Sequence, residues 1–388
     1  MNDAQHICFF MPVIQMGGVE RTLLNIVTEL STRNYKISIL TSAVSPSFQA
    51  KLPETVRIVH LASASRTPLY FRPFSQKTRA SLGALTALVK FLKSERPHAM
   101  YSFQGSTVAV LARMLARSKC FLFVRESNTP SQSFIHDGML GRKLKMLMKR
   151  VLYSRADKVI AVSQGVADDL VESVKLKESI VTTIYNPTFT PELVESANHE
   201  VDHPWLTSTN STPVIASVGR LSRQKDFLTL VDAFSIVSKN RKAKLLIVGE
   251  GPERKNIQAR IDKLGLSSDA DLVGEHTNPY KYLIKSSIFV LSSIFEGLPN
   301  VVIEAQGCGL PVVATDCPSG PREILLDGRA GTLVPVSDPE SMASAILAYI
   351  DDEKLRNAHI EIANDNLNRF TPARSVDSYL ALIPGPGS

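Results

Sequence analysis

A twice-repeated alternation of short apolar runs with helical stretches constrains this chain more than any other feature. His6-Ile-Cys-Phe-Phe-Met11 reads as a strand and Gly17-Gly18 as a tight turn. Val19 to Arg33 reads as a helix, with Val19, Leu23, Ile26, Val27 and Leu30 on one face. Lys36-Ile-Ser-Ile-Leu40 follows as the second strand, and residues 99–103, 120–124 and 158–162 continue the series. Runs that are apolar throughout belong to a parallel sheet covered by helices on both faces. The stretch from Asn186 to Pro213, rich in Pro, Asn, Ser and Thr, breaks the pattern and reads as a boundary. The alternation then resumes at Val214–Val218, Lys244–Val248, residues 271–273, Ile288–Leu291 and residues 312–314. The expected fold class is α/β, with two Rossmann-like parallel-sheet domains facing a central cleft. Residues 1–185 form the first domain and 186–366 the second, while 367–388 form a C-terminal segment, a helix packing back toward the first. A length of 388 residues suits two cores better than one. Pro384-Gly-Pro-Gly-Ser388 reads as a loose end.

Apolar content of 44% and charged content of 21% are those of a soluble globular protein. No apolar stretch reaches the 18 or so residues of a membrane span. The run from Ile7 to Ile14 has no basic lead and is short for a secretion signal. Cys8, Cys120, Cys308 and Cys317 include no Cys-x-x-Cys pair and read as reduced core thiols in a cytoplasmic protein.

The net charge of +7 hides a division between the halves. Residues 1–185 hold 25 Lys/Arg against 12 Asp/Glu, a balance of +13; residues 186–388 hold 19 against 25, a balance of −6. Such asymmetry suggests that the first domain meets an anionic surface. The densest basic stretch is Gly141-Arg-Lys-Leu-Lys-Met-Leu-Met-Lys-Arg-Val-Leu-Tyr153. At helical spacing Leu144, Leu147, Met148, Val151 and Leu152 form an apolar stripe, with Lys143, Lys145, Lys149 and Arg150 largely off it. Two readings stand: a core-facing helix with a solvated basic back, or a helix lying on a membrane. Nucleic acid is disfavoured, because no aromatic interleaving accompanies the cations.

The segment Ser292-Ser-Ile-Phe-Glu-Gly-Leu-Pro-Asn-Val-Val-Ile-Glu304 joins a strand end, a Gly-Leu-Pro turn and a new helix. Asn300 is expected to cap a helix beginning at Val301. Free N–H groups and the helix dipole make such a start an anion site. Glu296 and Glu304 then suit the hydroxyls of a ribose and a hexose, unless they are merely solvated glutamates on a capped helix. Four further loops should meet the same crevice at the strand ends. Met16-Gly-Gly-Val-Glu-Arg21 offers paired glycines at a helix start. Val218-Gly-Arg-Leu-Ser-Arg-Gln-Lys-Asp-Phe227 sets Arg220 and Lys225 on one loop, a planar fork and a mobile point charge suited to a diphosphate. Val248-Gly-Glu-Gly-Pro-Glu253 and Gly274-Glu-His-Thr277 supply glycine turns able to admit a flat base against the backbone. The Gly249-x-Gly251 pair lacks the third glycine of a dinucleotide fingerprint, which argues against a nicotinamide cofactor.

The order of these motifs resembles the retaining nucleotide-sugar glycosyltransferases of the GT-B fold, family four. The likeness spans nearly the whole chain and includes Val162-Ser-Gln-Gly-Val166 and Tyr185-Asn-Pro187. Val124-Arg-Glu-Ser-Asn128 and Pro318-Ser-Gly-Pro-Arg-Glu-Ile324 look most like bacterial surface-polysaccharide members, of capsule or lipopolysaccharide pathways, that use UDP-sugars. The resemblance implies that Arg220 and Lys225 hold the diphosphate and neutralise the leaving group without a metal or other cofactor. Gly17 and Gly18 would add main-chain N–H contacts, and Gly249 would lie beside the base. Glu304 would accept from the ribose hydroxyls, and Glu296 would contact the donor sugar. Gly297, Leu298, Asn300 and Val301 would border the distal phosphate and sugar, with Glu275, His276 and Thr277 near the base. Many relatives place a histidine where this chain has Arg125-Glu126. Either Glu126 takes over its hydrogen bond or the acceptor is oriented differently.

The resemblance further implies transfer of a hexosyl or N-acetylhexosaminyl unit to a lipid-linked glycan. The enzyme would work in the cytoplasm or peripherally on the inner face of the plasma membrane. A UDP-sugar epimerase on the same fold, needing no acceptor, is one alternative. A non-catalytic membrane-docking subunit is another, although it would be expected to lack Arg220, Lys225 or one glutamate of the pair. His199-Glu-Val-Asp-His203 matches the zinc-protease pattern His-Glu-x-x-His, but Pro204 disfavours the helix that such a site needs.

Overall fold

In the computed structural model the described residues are 4–61, 76–133, 138–197, 199–206 and 212–384. The last four residues of the expected loose end, and residues 198 and 207–211 of the expected boundary, lie outside them. The chain divides into two compact units, Met1–Pro187 with Pro372–Ser388, and Thr188–Thr371. Boundaries expected at 185 and 366 thus fall two and five residues later.

The first unit holds β1 (His6–Phe10), β2 (Val13–Ile14), β3 (Lys36–Thr41), β4 (Ala43–Val44), β5 (Val56–His60), β6 (Ala99–Ser102), β7 (Phe121–Glu126), β8 (Lys158–Ala161) and β9 (Val181–Thr183). Seven of these make one sheet in the order β5-β3-β1-β6-β7-β8-β9, and β2 pairs with β4 separately. The second unit holds β10 (Val214–Val218), β11 (Lys244–Val248), β12 (Ala270–Gly274), β13 (Ile288–Leu291), β14 (Val312–Thr315) and β15 (Thr332–Val334), in the order β12-β11-β10-β13-β14-β15. Every pairing is parallel. Both main sheets reverse strand order at their first strand, as doubly wound sheets do, and ligands of such sheets bind beyond the carboxyl ends at that switch. The switch lies between β1 and β6 in the first unit and between β10 and β13 in the second.

Interior strands are buried along their whole length, as continuous apolar runs require; β1, β6, β13 and β14 are examples. In the first core Tyr101 stacks between Phe9 and Phe123, with ring centroids 5.5 and 4.7 Å away. The Tyr101 hydroxyl donates to the carbonyl of Tyr379 at 2.5 Å, on the helix Pro372–Ala381. Ser375 Oγ donates to the Tyr185 carbonyl at 2.8 Å, so this late helix is part of the first unit.

Helix Met139–Tyr153 departs from the core-facing reading. Of its residues only Tyr153 is buried, while Leu144, Leu147, Met148 and Val151 stand 57%, 54%, 51% and 54% exposed. Lys149 also differs from its expected solvated place. Its Nζ ion-pairs with Glu126 Oε2, and its side chain is only 16% exposed. Asn300 is the first residue of helix Asn300–Gly307 rather than its cap, and the preceding Pro299 has no side chain able to cap. Residues 199–203 are not helical. His203 Nε2 lies 3.2 Å from Asp271 Oδ2 and His199 Nδ1 lies 3.1 Å from Asn278 Nδ2, so the two rings take separate partners instead of sharing a metal.

Candidate active site

The loops leaving β10 and β13 are stitched together at the switch of the second sheet. Ile294 N–H donates to the Gln224 carbonyl at 2.8 Å, and Gln224 Nε2 to the Phe295 carbonyl at 2.9 Å. Ser292 Oγ donates to the Lys225 carbonyl at 2.7 Å. These bonds bring Lys225 Nζ to 2.5 Å from Glu296 Oε1, which also accepts from Ser293 Oγ at 2.7 Å. The Lys225 and Glu296 side chains are 18% and 8% exposed, so neither is a solvated surface charge. Arg220, on the same loop, is exposed and has no ion-pair partner among the described residues. The trio therefore carries one net positive charge, delivered by Arg220.

The glycine turns are used differently from the expectation. A Cβ at Gly249 would lie 1.9 Å from the Gly219 carbonyl oxygen, and one at Gly251 would lie 2.3 Å from that of Leu221. The Leu221 N–H donates to the Glu250 carbonyl at 2.9 Å. Backbone of the β10 loop, not a base, fills the space these glycines leave open.

Helix Asn300–Gly307 starts just after Glu296 and carries Glu304, which is buried and accepts from the Tyr280 hydroxyl at 3.2 Å. The two glutamates are buried rather than solvated, and they hold different partners. Leu298 is buried, and Asn300 and Val301 form the first turn. Ser319 Oγ donates to the Gly297 carbonyl at 2.8 Å, which pins the turn from the β14 side. Beyond β12, Glu275 and Thr277 are exposed. His276 packs on Tyr282, with Nε2 3.0 Å from its hydroxyl. Cys308 and Cys317 flank this region; burial pushes both thiols up to about 12, with Glu304 and Glu296 adding to the effect.

In the first unit, Gly17 precedes helix Gly18–Ser31, whose first turn offers main-chain N–H groups just after β2. Glu126 ends β7, and its Oε2 accepts from Lys149 Nζ and from the Tyr153 hydroxyl, the latter at 3.0 Å. Arg125 beside it is buried. Its Nη1 donates to Ser127 Oγ at 2.5 Å and its Nη2 to Asn186 Oδ1 at 2.6 Å, with the guanidinium 4.9 Å over the Phe103 ring. Sequence reasoning missed Ser293, Tyr280, Tyr153 and the Lys149 pairing. No local spacing signals them, because each reaches its partner through the fold or as a small polar residue in a loop. Among the described residues, no group of three or more His, Cys, Asp or Glu could hold a metal.

Comparison with known proteins agrees with this architecture. Residues 16–190 match the family model described as Glycosyltransferase Family 4, and residues 200–365 match Glycosyl transferases group 1. A Campylobacter jejuni protein, N-acetylgalactosamine-N,N'-diacetylbacillosaminyl-diphospho-undecaprenol 4-alpha-N-acetylgalactosaminyltransferase, is 28% identical over 98% of this chain and 100% of its own. An uncharacterized glycosyltransferase of Methanocaldococcus jannaschii is 35% identical over 69% of this chain and 72% of its own. The crystal structure of Anabaena Alr3699/HepE in complex with UDP and glucose superposes with a TM-score of 0.77 at 18% identity, covering 97% of this chain and 98% of that one. The chain belongs to glycosyltransferase family 4, the transferases built on the two parallel-sheet domains of the GT-B fold.

Proposed function

We propose that this transferase moves a hexosyl or N-acetylhexosaminyl unit from a UDP-sugar to a lipid-linked glycan in surface-polysaccharide assembly, with retention of the anomeric configuration and without a metal. The observation that carries the reading is the buried Lys225–Glu296 pair at the β10/β13 switch, on the loop that also carries exposed Arg220. A diphosphate there would meet Arg220 as a fork of donors and Lys225 as a charge already oriented by Glu296. Main-chain N–H groups of Leu298, Asn300 and Val301 would face the distal phosphate and the sugar. Glu296 would contact the sugar, Glu304 the ribose hydroxyls, and Glu275, His276 and Thr277 the surroundings of the base.

In the step proposed, the anomeric C–O bond to the leaving diphosphate breaks as the acceptor oxygen attacks from the same face. The departing phosphate oxygen takes the acceptor's proton. The protein supplies positioning and charge stabilisation. Glu126, held by Lys149 and Tyr153, acts here as a positioning residue on the acceptor side. The donor class is supported by the UDP-bound structure of the HepE protein, and the acceptor class by the diphospho-undecaprenol substrate in the Campylobacter relative's name.

The exposed apolar face of helix Met139–Tyr153, bordered by Lys143, Lys145 and Arg150, supports peripheral attachment to an anionic leaflet at the cytoplasmic side. No helix among the described residues is long and apolar enough to cross a membrane. Early-time proton NMR of the product formed from a UDP-sugar and a polyprenyl-diphosphate-linked acceptor, with and without EDTA, tests the reaction. An inverted anomer, or activity abolished by EDTA and restored by magnesium, would sink it.

A further inference from the structure

A second constellation lies at the opposite pole of the first sheet. Around the starts of β1, β3, β6 and β7 opens a cavity of 1270 Å³. Five cations line it, Lys36, Lys93, Arg96, Arg117 and Lys119, against one carboxylate, Glu95. Glu95 is already committed, accepting from Arg57 Nη1 at 3.0 Å and from Lys36 Nζ at 3.3 Å. Among the described residues, no carboxylate pairs with Lys93, Arg96, Arg117 or Lys119.

Cations at helix C-termini have an ordinary explanation, since each helix end presents about half a negative charge. Helices Gln76–Glu95 and Ser106–Ala116 both end at this cavity. Their two ends and Glu95 offset about two of the five positive charges, which leaves a surplus near +3. Arg96 and Arg117 also sit at φ 43° and 50°, in the left-handed region that glycine or asparagine occupies more readily. The chain thus keeps long cationic side chains at two positions where the backbone favours others. His98, in the same lining, buries its Nε2 without a hydrogen-bond partner among the described residues.

We propose that this cavity binds a small, soluble anion bearing several phosphate charges. The site is separate from the strand-end loops of the first unit, because six-residue β7 puts its start about 17 Å from Glu126. The surplus charge matches an oligophosphate, and Arg with Lys supplies both forked and point donors for it. A concave site favours a small ligand over a flat partner surface.

Isothermal titration of the full chain with inorganic tripolyphosphate at constant ionic strength tests the proposal, comparing wild type with Arg96→Asn/Arg117→Asn. Asparagine tolerates the left-handed backbone, and both positions are exposed, so the variant should keep the wild-type Tm. Any contribution from Arg220 is common to both chains and cancels, which makes the outcome independent of the donor-site reading. The expected result is at least tenfold weaker binding in the variant, and a smaller loss in Lys119→Ser. Equal affinity in wild type and both variants would overturn the proposal. So would absence of tripolyphosphate binding together with variant-sensitive flotation on phosphatidylglycerol vesicles, which would assign the cavity to a lipid headgroup.

Discussion

Lys225 Nζ and Glu296 Oε1 lie 2.5 Å apart in a setting that leaves 18% and 8% of their side chains exposed. At an effective dielectric near 20 their gross attraction is roughly 7 kcal/mol, and desolvation of the two ions cancels most of it. Removing one partner exposes the cancelled cost. Lys225→Met strands a buried carboxylate and should destabilise the second unit by about 3 kcal/mol; Glu296→Gln, which strands the more exposed lysine, should cost about 2 kcal/mol. The double variant should cost less than the sum by about 3 kcal/mol, and so be more stable than Lys225→Met, because it leaves no lone charge. Trp205, the only tryptophan in the chain, lies in the second unit, so its fluorescence in urea reports that unit's unfolding. Transfer activity separates the pair's structural and chemical roles. If Lys225 also meets the diphosphate, the double variant regains stability while its turnover stays about 10²–10³ below wild type. Costs that add within about 0.5 kcal/mol would refute the coupling, and turnover that recovers with stability would refute the catalytic part.

Gly249→Ala should destabilise the second unit by at least about 3 kcal/mol or abolish soluble expression, since the new Cβ meets a carbonyl oxygen at 1.9 Å. Gly265→Ala, at φ +69° with open space around it, should cost only about 1 kcal/mol in the same urea assay. Burial pushes the thiols of Cys120, Cys308 and Cys317 up to about 12, so the native protein should resist maleimide at pH 8 and react fully once unfolded. The unfolded chain releases those protons near pH 9 while the folded one holds them, so stability should fall between pH 9 and 12. An urea midpoint unchanged over that window would contradict the burial. Replacing Leu144, Leu147 and Val151 with serine should abolish flotation on anionic vesicles while shifting stability by less than about 0.5 kcal/mol. Lys149→Met should instead cost stability, because it strands Glu126.

The interior of both sheets and one edge strand, β12 (expected at 271–273), were legible in the sequence; the other edges were not. β1, β3, β6, β7, β8, β10, β11, β13 and β14 match apolar runs to within a residue or two. β5, β9 and β15 escaped because each is an edge strand, half open to solvent, with mixed polarity. Such strands lack the continuous run that marks a buried parallel strand. The loops bearing Lys225 and Glu296 could be placed on one crevice from strand order alone. That Lys225 would be spent on Glu296 could not, since the pair is 71 residues apart. Gly249 and Gly251 show the opposite failure: their spacing suggested room for a ligand, and backbone occupies it. Helix Met139–Tyr153 was legible as amphipathic, but periodicity cannot say whether an apolar stripe turns inward or outward.

The inclusion of residues 372–384 in the first unit has a consequence for biosynthesis. A chain emerging from the ribosome can complete Thr188–Thr371 as a continuous body while its predecessor is still missing a helix. Tyr101 has no Tyr379 carbonyl to meet until translation has passed that codon. The amino-terminal half, made first, should therefore mature last, its aromatic interior awaiting the final helical turns.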